Sequence, residues 1–258
     1  MLSFQTAAGT VIGREHVRVH KNNQDAYALK VTDDMIVAAV CDGCSSGVYS
    51  ELGARFAANW LVNNVGHFLP CPAHALAVCV GNGLSAALRD VLVPMSGRQV
   101  DADWSAPPEV VKDYALFTMT VLVMTPEDTI IFGLGDGTWC LESTTTRPDL
   151  QRLDSGPKNA PKYLGYRLLS SQDREHYGIE SSSLSPELYD HERTEDVTKV
   201  LIGTDGVDDL EEGALWDLLN QDACYKNPSL LTKRLIVLGE QQKRLKDDTT
   251  IVMVRRVP

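Results

Sequence analysis

Apolar residues recur along this chain with two periods, and each period predicts a different element. The stretches "FQTAAGTVIG" (4–13) and "DAYALKV" (25–31) read as short strands, and "MIVAAVCD" (35–42) as a strand buried on both faces. Helical spacing begins near Ser50 and runs to Asn64, with Leu52, Phe56, Trp60 and Leu61 on one side. A second long helix follows over 72–92, with Pro72 at its start and a weak point at "GNG". Residues 95–109 form a polar connector. Then "YALFTMTVLVM", "TIIFGLGD" and "GTWCLES" predict three successive strands in an antiparallel meander.

From Thr144 to Asp196 the pattern is least regular. It predicts a surface excursion, a lid or flap, with "ELYDHE" (187–192) as loop. "VTKVLIGTDG" predicts a strand, "GALWDLLN" and "SLLTKRLIVLGEQQKRL" predict helices, and "TTIVMVRRV" a last strand. Trp60 and Trp216 are expected in the core. Strands and helices come in blocks, which favours an α+β plan of antiparallel sheets covered by helices, in one domain over 1–258.

Composition narrows the function. The net charge is −11, which argues against a general nucleic-acid or anionic-membrane binder, since both need basic surface. No stretch approaches the roughly 18 apolar residues of a membrane span, the start lacks the pattern of a signal peptide, and the cytoplasm is the expected location. Six irregularly spaced cysteines do not form a disulfide framework. Cys41 and Cys44 have redox or zinc spacing, but no second pair follows, and alternation turns Cys41 into the core.

Acidic residues punctuate the strand ends. Asp42 ends "VAAVCDG", Asp136 sits in "FGLGDG", Asp205 in "LIGTDG", Asp25 in "NNQDA", and Asp247 and Asp248 in "KDDTT". An aspartate at a strand end is fixed by the sheet yet reaches into open space. Carboxylates gathered at one point repel one another unless a cation lies between them, and all-oxygen sites select hard ions such as Mg²⁺ or Mn²⁺. Local readings compete at two positions: "GDG" around Asp136 is also a plain hairpin turn, and Asp209 in "DGVDDLEE" is also a helix-capping residue.

In this order, "NNQDA", "VCDG", "GLGDG", "GTDGVDD" and "KDDTTIVMV" resemble the motifs of the metal-dependent protein phosphatases, the protein phosphatase 2C-like (PPM) family, from about Gly13 to Val254. "GREH" is similar to a bacterial branch with Gly-x-x-His before the Gln-Asp. The resemblance implies two antiparallel sheets packed face to face with helices on both outer faces, an α/β/β/α sandwich. It implies hydrolysis of phosphoserine or phosphothreonine in a phosphorylated protein, opposing a kinase in signalling, by a metal-activated water at a binuclear Mg²⁺/Mn²⁺ centre. Asp42 would bridge the ions, with the Gly43 carbonyl facing one. Asp205 and Asp247 would complete the other's shell, and Asp25 would act through water. Asp136 and Asp209 fall where a third ion is held in some members. A monomer is expected.

Two positions depart from the family. Gln24 stands where glutamate is common, and His20 where a phosphate-binding arginine is common. If "REHVRVHK" is extended, Arg14, His16, Arg18 and His20 share one face. Arg14 and Arg18 then become candidates for phosphate capture, and His16 or His20 for the leaving-group acid; a solvated edge strand is the other reading. The departures also leave room for a weakly active, phosphoprotein-binding regulatory module.

Overall fold

The computed structural model describes residues 3–97, 105–153, 161–180, 184–242 and 245–257. In chain order its elements are β1 (Phe4–Val11), α1 (Arg14–Arg18), β2 (Asp25–Val31), β3 (Ile36–Asp42), α2 (Ser50–Asn64), α3 (Ala73–Ser96), α4 (Pro108–Tyr114), β4 (Met119–Met124), β5 (Asp128–Leu134), β6 (Thr138–Ser143) and β7 (Gln151–Arg152). Then come α5 (Ser171–His176), β8 (Glu187–Arg193), β9 (Val197–Gly203), α6 (Glu212–Asn220), α7 (Asp222–Lys226), α8 (Leu230–Gln242) and β10 (Thr249–Arg256).

The strands pair in two five-stranded sheets, ordered β1-β10-β9-β6-β7 and β2-β3-β4-β5-β8, with antiparallel neighbours throughout. β3 explains the layering. Its even positions Ile36, Ala38 and Val40 meet Trp139, Leu141, Ile202, Val252 and Val254 of the other sheet. Its odd positions Val37, Ala39 and Cys41 meet Ala54, Ala57, Ala58 and Leu61 of α2. On the far side, Ala7, Leu201, Ile251 and Met253 pack against Leu215, Leu219, Leu231 and Leu235 of α6 and α8. This is the expected α/β/β/α sandwich. Each buried aliphatic side chain contributes about 1.5–3 kcal/mol relative to exposure.

Several local expectations change. The buried face of α2 is its alanine face; Leu52 is 50% exposed, because small residues let the helix lie closer to β2 and β3. Trp60 and Trp216, expected in the core, are half-buried at its edges. α3, at 24 residues, is long and apolar enough to cross a membrane, which corrects the expectation that no stretch is. Its Leu76, Val80, Leu84, Leu88 and Leu92 are buried at helical spacing in the core beside α2, so packing accounts for the apolarity.

The expected three-stranded meander breaks after β5. β4 pairs with β5, but β6 crosses to the other sheet and pairs with β9. Gly135, at φ 108°, supplies the left-handed backbone for that crossing, a conformation costly for other residues. "ELYDHE" is strand, not loop. It forms β8 at a sheet edge, where Asp128 opposes Arg193 and Thr129 opposes Glu192. Charged residues suit an exposed edge, and so hide the strand from an apolar pattern. Part of the connector over 95–109 lies outside the described residues, and its end starts α4 with Pro108 in the first turn. Within 144–196 the described residues include β7, a 3-10 turn at Leu164–Leu168, α5 and β8. Tyr163, Leu164, Leu168 and Leu169 of that stretch are buried in the core beside α2 and α3.

Candidate metal centre

Five acidic positions at strand ends meet at one end of the sandwich. Asp42 closes β3, directly opposite Asp25 at the start of β2. Asp136 sits in the crossing from β5 to β6, Asp205 opens the 3-10 turn after β9, and Asp247 immediately precedes Asp248 and β10. Asp42, Gly43, Asp136, Asp205, Asp247 and His16 line one cavity of about 290 Å³, with Cys44, Thr118, Tyr163 and Tyr166 on its walls. One carboxylate oxygen each from Asp42, Asp136 and Asp205 lies within 4.8 Å of the others. Asp25 stands behind this group, buried, its Oδ2 accepting from the Thr204 hydroxyl at 2.7 Å.

The electrostatics of this cluster call for a cation. Burial, then the Asp248 charge, raises the Asp25 pKa well above the carboxylate range, against hydroxyl bonds from Thr204 and Thr250. Burial and then the charges of Asp25 and Asp205 raise Asp42 likewise. Asp205 is pushed up to about 7, first by burial and then by Asp136 and Asp247. Burial raises Asp136. The buried Oδ1 atoms of Asp25, Asp136 and Asp205 have no hydrogen-bond partner among the described residues. A buried acceptor without a donor costs about 1–3 kcal/mol. An all-oxygen set of this kind fits hard divalent cations.

The segment "REHVR" is a helix, and this overturns the extended reading. Its first N–H groups are taken up from outside: Gly13 N donates to Asp248 Oδ1 at 2.6 Å, and the carbonyls of Leu245 and Lys246 accept from Arg14 and Glu15. Glu15 in the first turn and Arg18 in the last suit the helix dipole. The proposed basic face therefore does not form. His16 turns inward and its Nδ1 lies 2.9 Å from Asp248 Oδ2 and 3.9 Å from Asp247. Arg14 lines a separate cavity of about 870 Å³ beside Thr10, Lys21 and Ile236. Arg18 and His20 are exposed and line none of the described cavities; His20 has φ 57° just past the helix. Lys21 instead reaches the metal-centre wall, where its Nζ donates to the Ser45 carbonyl.

Asp209 lies in an adjoining cavity with Asp205 and Asp247, accepting from the Lys246 N–H at 2.5 Å and lying 3.8 Å from Lys246 Nζ. It ends the 3-10 turn, and Glu211 is the N-cap of α6. Gln24 uses its N–H on Asp248 and its Nε2 on Ser50 Oγ, each at 2.6 Å, which leaves its buried Oε1 without a partner among the described residues. Cys41 is buried in the core, its thiol pKa raised by burial, while Cys44 Sγ lies 3.2 Å from Ser46 Oγ. The two sulfurs have separate surroundings.

Sequence reasoning named Asp248 among the strand-end carboxylates without giving it a role, and it missed Thr204, Tyr163 and Tyr166. Asp248 is 2% exposed and takes three bonds, from Gly13, His16 and Gln24. The doubled aspartate of "KDDTT" was its signal. The tyrosines lie in the irregular stretch, where spacing carries no signal.

The family model described as "Protein phosphatase 2C" matches residues 12–230. No curated protein matches. Among solved structures, the serine-threonine phosphatase 2C from Toxoplasma gondii superposes with a TM-score of 0.63 at 16% identity, over 98% of this chain and 95% of that one. Serine/threonine phosphatase Stp1 from Staphylococcus aureus gives 0.60 at 14%, over 100% and 96%. The S. agalactiae serine/threonine phosphatase gives 0.61 at 13%, over 98% and 100%. At these identities the likeness is one of fold.

Proposed function

Because the chain belongs to the protein phosphatase 2C family of protein serine/threonine phosphatases, we propose that it hydrolyses phosphoserine and phosphothreonine in proteins at a two-ion Mg²⁺ or Mn²⁺ centre. The observation that carries this reading is the convergence of Asp42, Asp136 and Asp205 within 4.8 Å, with buried oxygens that lack donors among the described residues. Asp42, Asp205, Asp247 and Gly43 would hold the two ions. Asp25 lies behind them, and Asp136 and Asp209 are available to a third. Divalent ions held there would activate a water for attack and screen the charge of a phosphate.

The chain's own groups do the rest. Asp248 holds the Nδ1 side of His16, which leaves Nε2 to give a proton to the leaving serine or threonine oxygen. Tyr163 and Tyr166 line the same cavity. Arg14, Arg18 and Lys21 form a local run of positive charge on an acidic protein. That run favours a phosphorylated protein over a neutral one as it approaches. The substrate would be the product of a serine/threonine kinase, met in the cytoplasm.

The test is turnover of p-nitrophenyl phosphate and of a phosphothreonine peptide, with Mn²⁺ and with excess chelator. Hydrolysis should need the metal and should fall by orders of magnitude in Asp42→Asn. Full activity after exhaustive chelation would overturn the reading.

A further inference from the structure

Six cysteines are distributed unevenly over the fold. Cys41, Cys140 and Cys224 are buried, and Cys44 faces Ser46 in the metal-centre wall. Cys71 and Cys79, half-buried like Cys44, differ because their sulfurs face each other at 3.0 Å. That is well inside ordinary sulfur–sulfur contact and about 1 Å longer than a disulfide bond of roughly 2.05 Å.

The surrounding backbone holds the two sulfurs in place. Cys71 lies between Pro70 and Pro72, whose rings fix φ on either side, and its N–H donates to the Phe68 carbonyl at 2.8 Å. Pro72 is the N-cap of α3. Cys79 lies two turns into that helix, between Ala77 and Val80, both buried in the core. Both elements are already ordered in the reduced protein, so closing the bond needs a side-chain adjustment and no refolding. Neither cysteine lines the metal-centre cavity.

We propose that Cys71 and Cys79 form a reversible intramolecular disulfide, a redox modification site on the helical layer. With hydrogen peroxide as oxidant, one thiolate takes an oxygen to become a sulfenic acid and releases hydroxide. The partner sulfur then attacks it and water leaves. In sum, two thiols give up two electrons and two protons, and one peroxide becomes two waters. A thiol disulfide such as oxidised glutathione accepts the same two electrons by exchange. The Cys71 thiol is held above its ordinary pKa, first by its hydrogen bond to Cys79, so the reaction should speed up as pH rises.

The bond would staple the start of α3 one turn from Asn82. The Oδ1 of Asn82 accepts from Arg167 at 2.9 Å, in the 3-10 turn that also carries Tyr166.

Tryptic cleavage makes the test direct, because residues 56–89 hold both cysteines and no internal lysine or arginine. The intact folded protein is treated with peroxide or with oxidised glutathione, alkylated, digested and weighed. The expected result is a monomer whose 56–89 peptide has lost two hydrogens and carries no alkyl group. Dithiothreitol should restore both alkylation sites, and chymotryptic fragments cut between the cysteines should stay joined until reduced. Two alkylated sulfurs after oxidation, a sulfinic acid on either one, or a disulfide-linked dimer would each overturn the proposal. Because the parent protein carries the test, no variant has to fold for it to decide.

Discussion

Nδ1 of His16 lies 2.9 Å from Oδ2 of Asp248, across 232 residues of sequence, and the carboxylate is 2% exposed. That pair joins the first helix to the residue just before the last strand and fixes which ring nitrogen is left for the cavity. Asp248→Asn sets an amide N–H₂ against donors that now meet carboxylate oxygen, from Gly13, Gln24 or His16. We expect a loss of about 1–3 kcal/mol in urea unfolding. The kcat for a phosphopeptide should fall more than that for p-nitrophenyl phosphate, whose leaving group needs no proton. His16→Ala should share the kcat pattern, and exposed His20→Ala should stay within a few-fold of the parent. Equal losses on both substrates would make Asp248 a structural residue alone.

The metal-free protein should grow more stable on acidification. Asp25, Asp42 and Asp205 have pKa values raised in the fold, Asp205 to about 7. Unfolded aspartate titrates near pH 4. Between these limits the folded state holds protons that the unfolded chain has lost, so stability falls as pH rises toward 7. Calorimetry after chelation should give a higher Tm at about pH 5.5 than at about pH 7.5. Saturating Mn²⁺ should reverse that order, because its ligands must be deprotonated. A metal-free Tm that climbs from the lower pH to the higher would contradict the crowding of these carboxylates.

Asp205→Asn keeps the shape of the side chain and removes one of the crowded charges. Without metal the variant should be more stable than the parent, by an amount on the order of 1 kcal/mol. With saturating Mn²⁺ the parent should lead, since it gains more by binding the ion in its folded state. Turnover should fall by orders of magnitude. A variant whose melting responds to Mn²⁺ as the parent's does would reduce Asp205 to a turn residue.

Gly206 follows Asp205 so closely against the last strand that a Cβ there would lie 1.9 Å from the Asp248 carbonyl oxygen. Gly206→Ala must push apart the two loops that carry Asp205 and Asp247. We expect a destabilisation of roughly 2–4 kcal/mol and a weaker Mn²⁺ response, read by thermal melts with and without the ion. Unchanged stability would mean that this junction yields easily.

What the chain states locally, it states clearly. Strands that run apolar into Asp-Gly specify both a buried sheet and the end at which its carboxylates emerge, because alternation and turn chemistry act over a few residues. Asp42, Asp136 and Asp205 were therefore legible as a group, and so was an α+β plan of antiparallel sheets, while the sandwich that gathers them was implied by the resemblance of the motifs to the family. The remaining features depended on partners far away in sequence. "REHVR" alternates like a strand, yet coils into a helix because Asp248 and the carbonyls of Leu245 and Lys246 take up its first N–H groups. β8 has a polar sequence and is a strand because β5 offers it an open edge. α2 turns its alanines inward, since the sheet beneath it rewards close approach over a large side chain at Leu52. Asp248 and Asp247 are neighbours with opposite fates: one is 2% exposed and binds backbone, the other is 57% exposed and faces the cavity. Periodicity sets the faces an element presents, but only the packed neighbours decide which face finds a partner, because burial and hydrogen bonding are settled between segments.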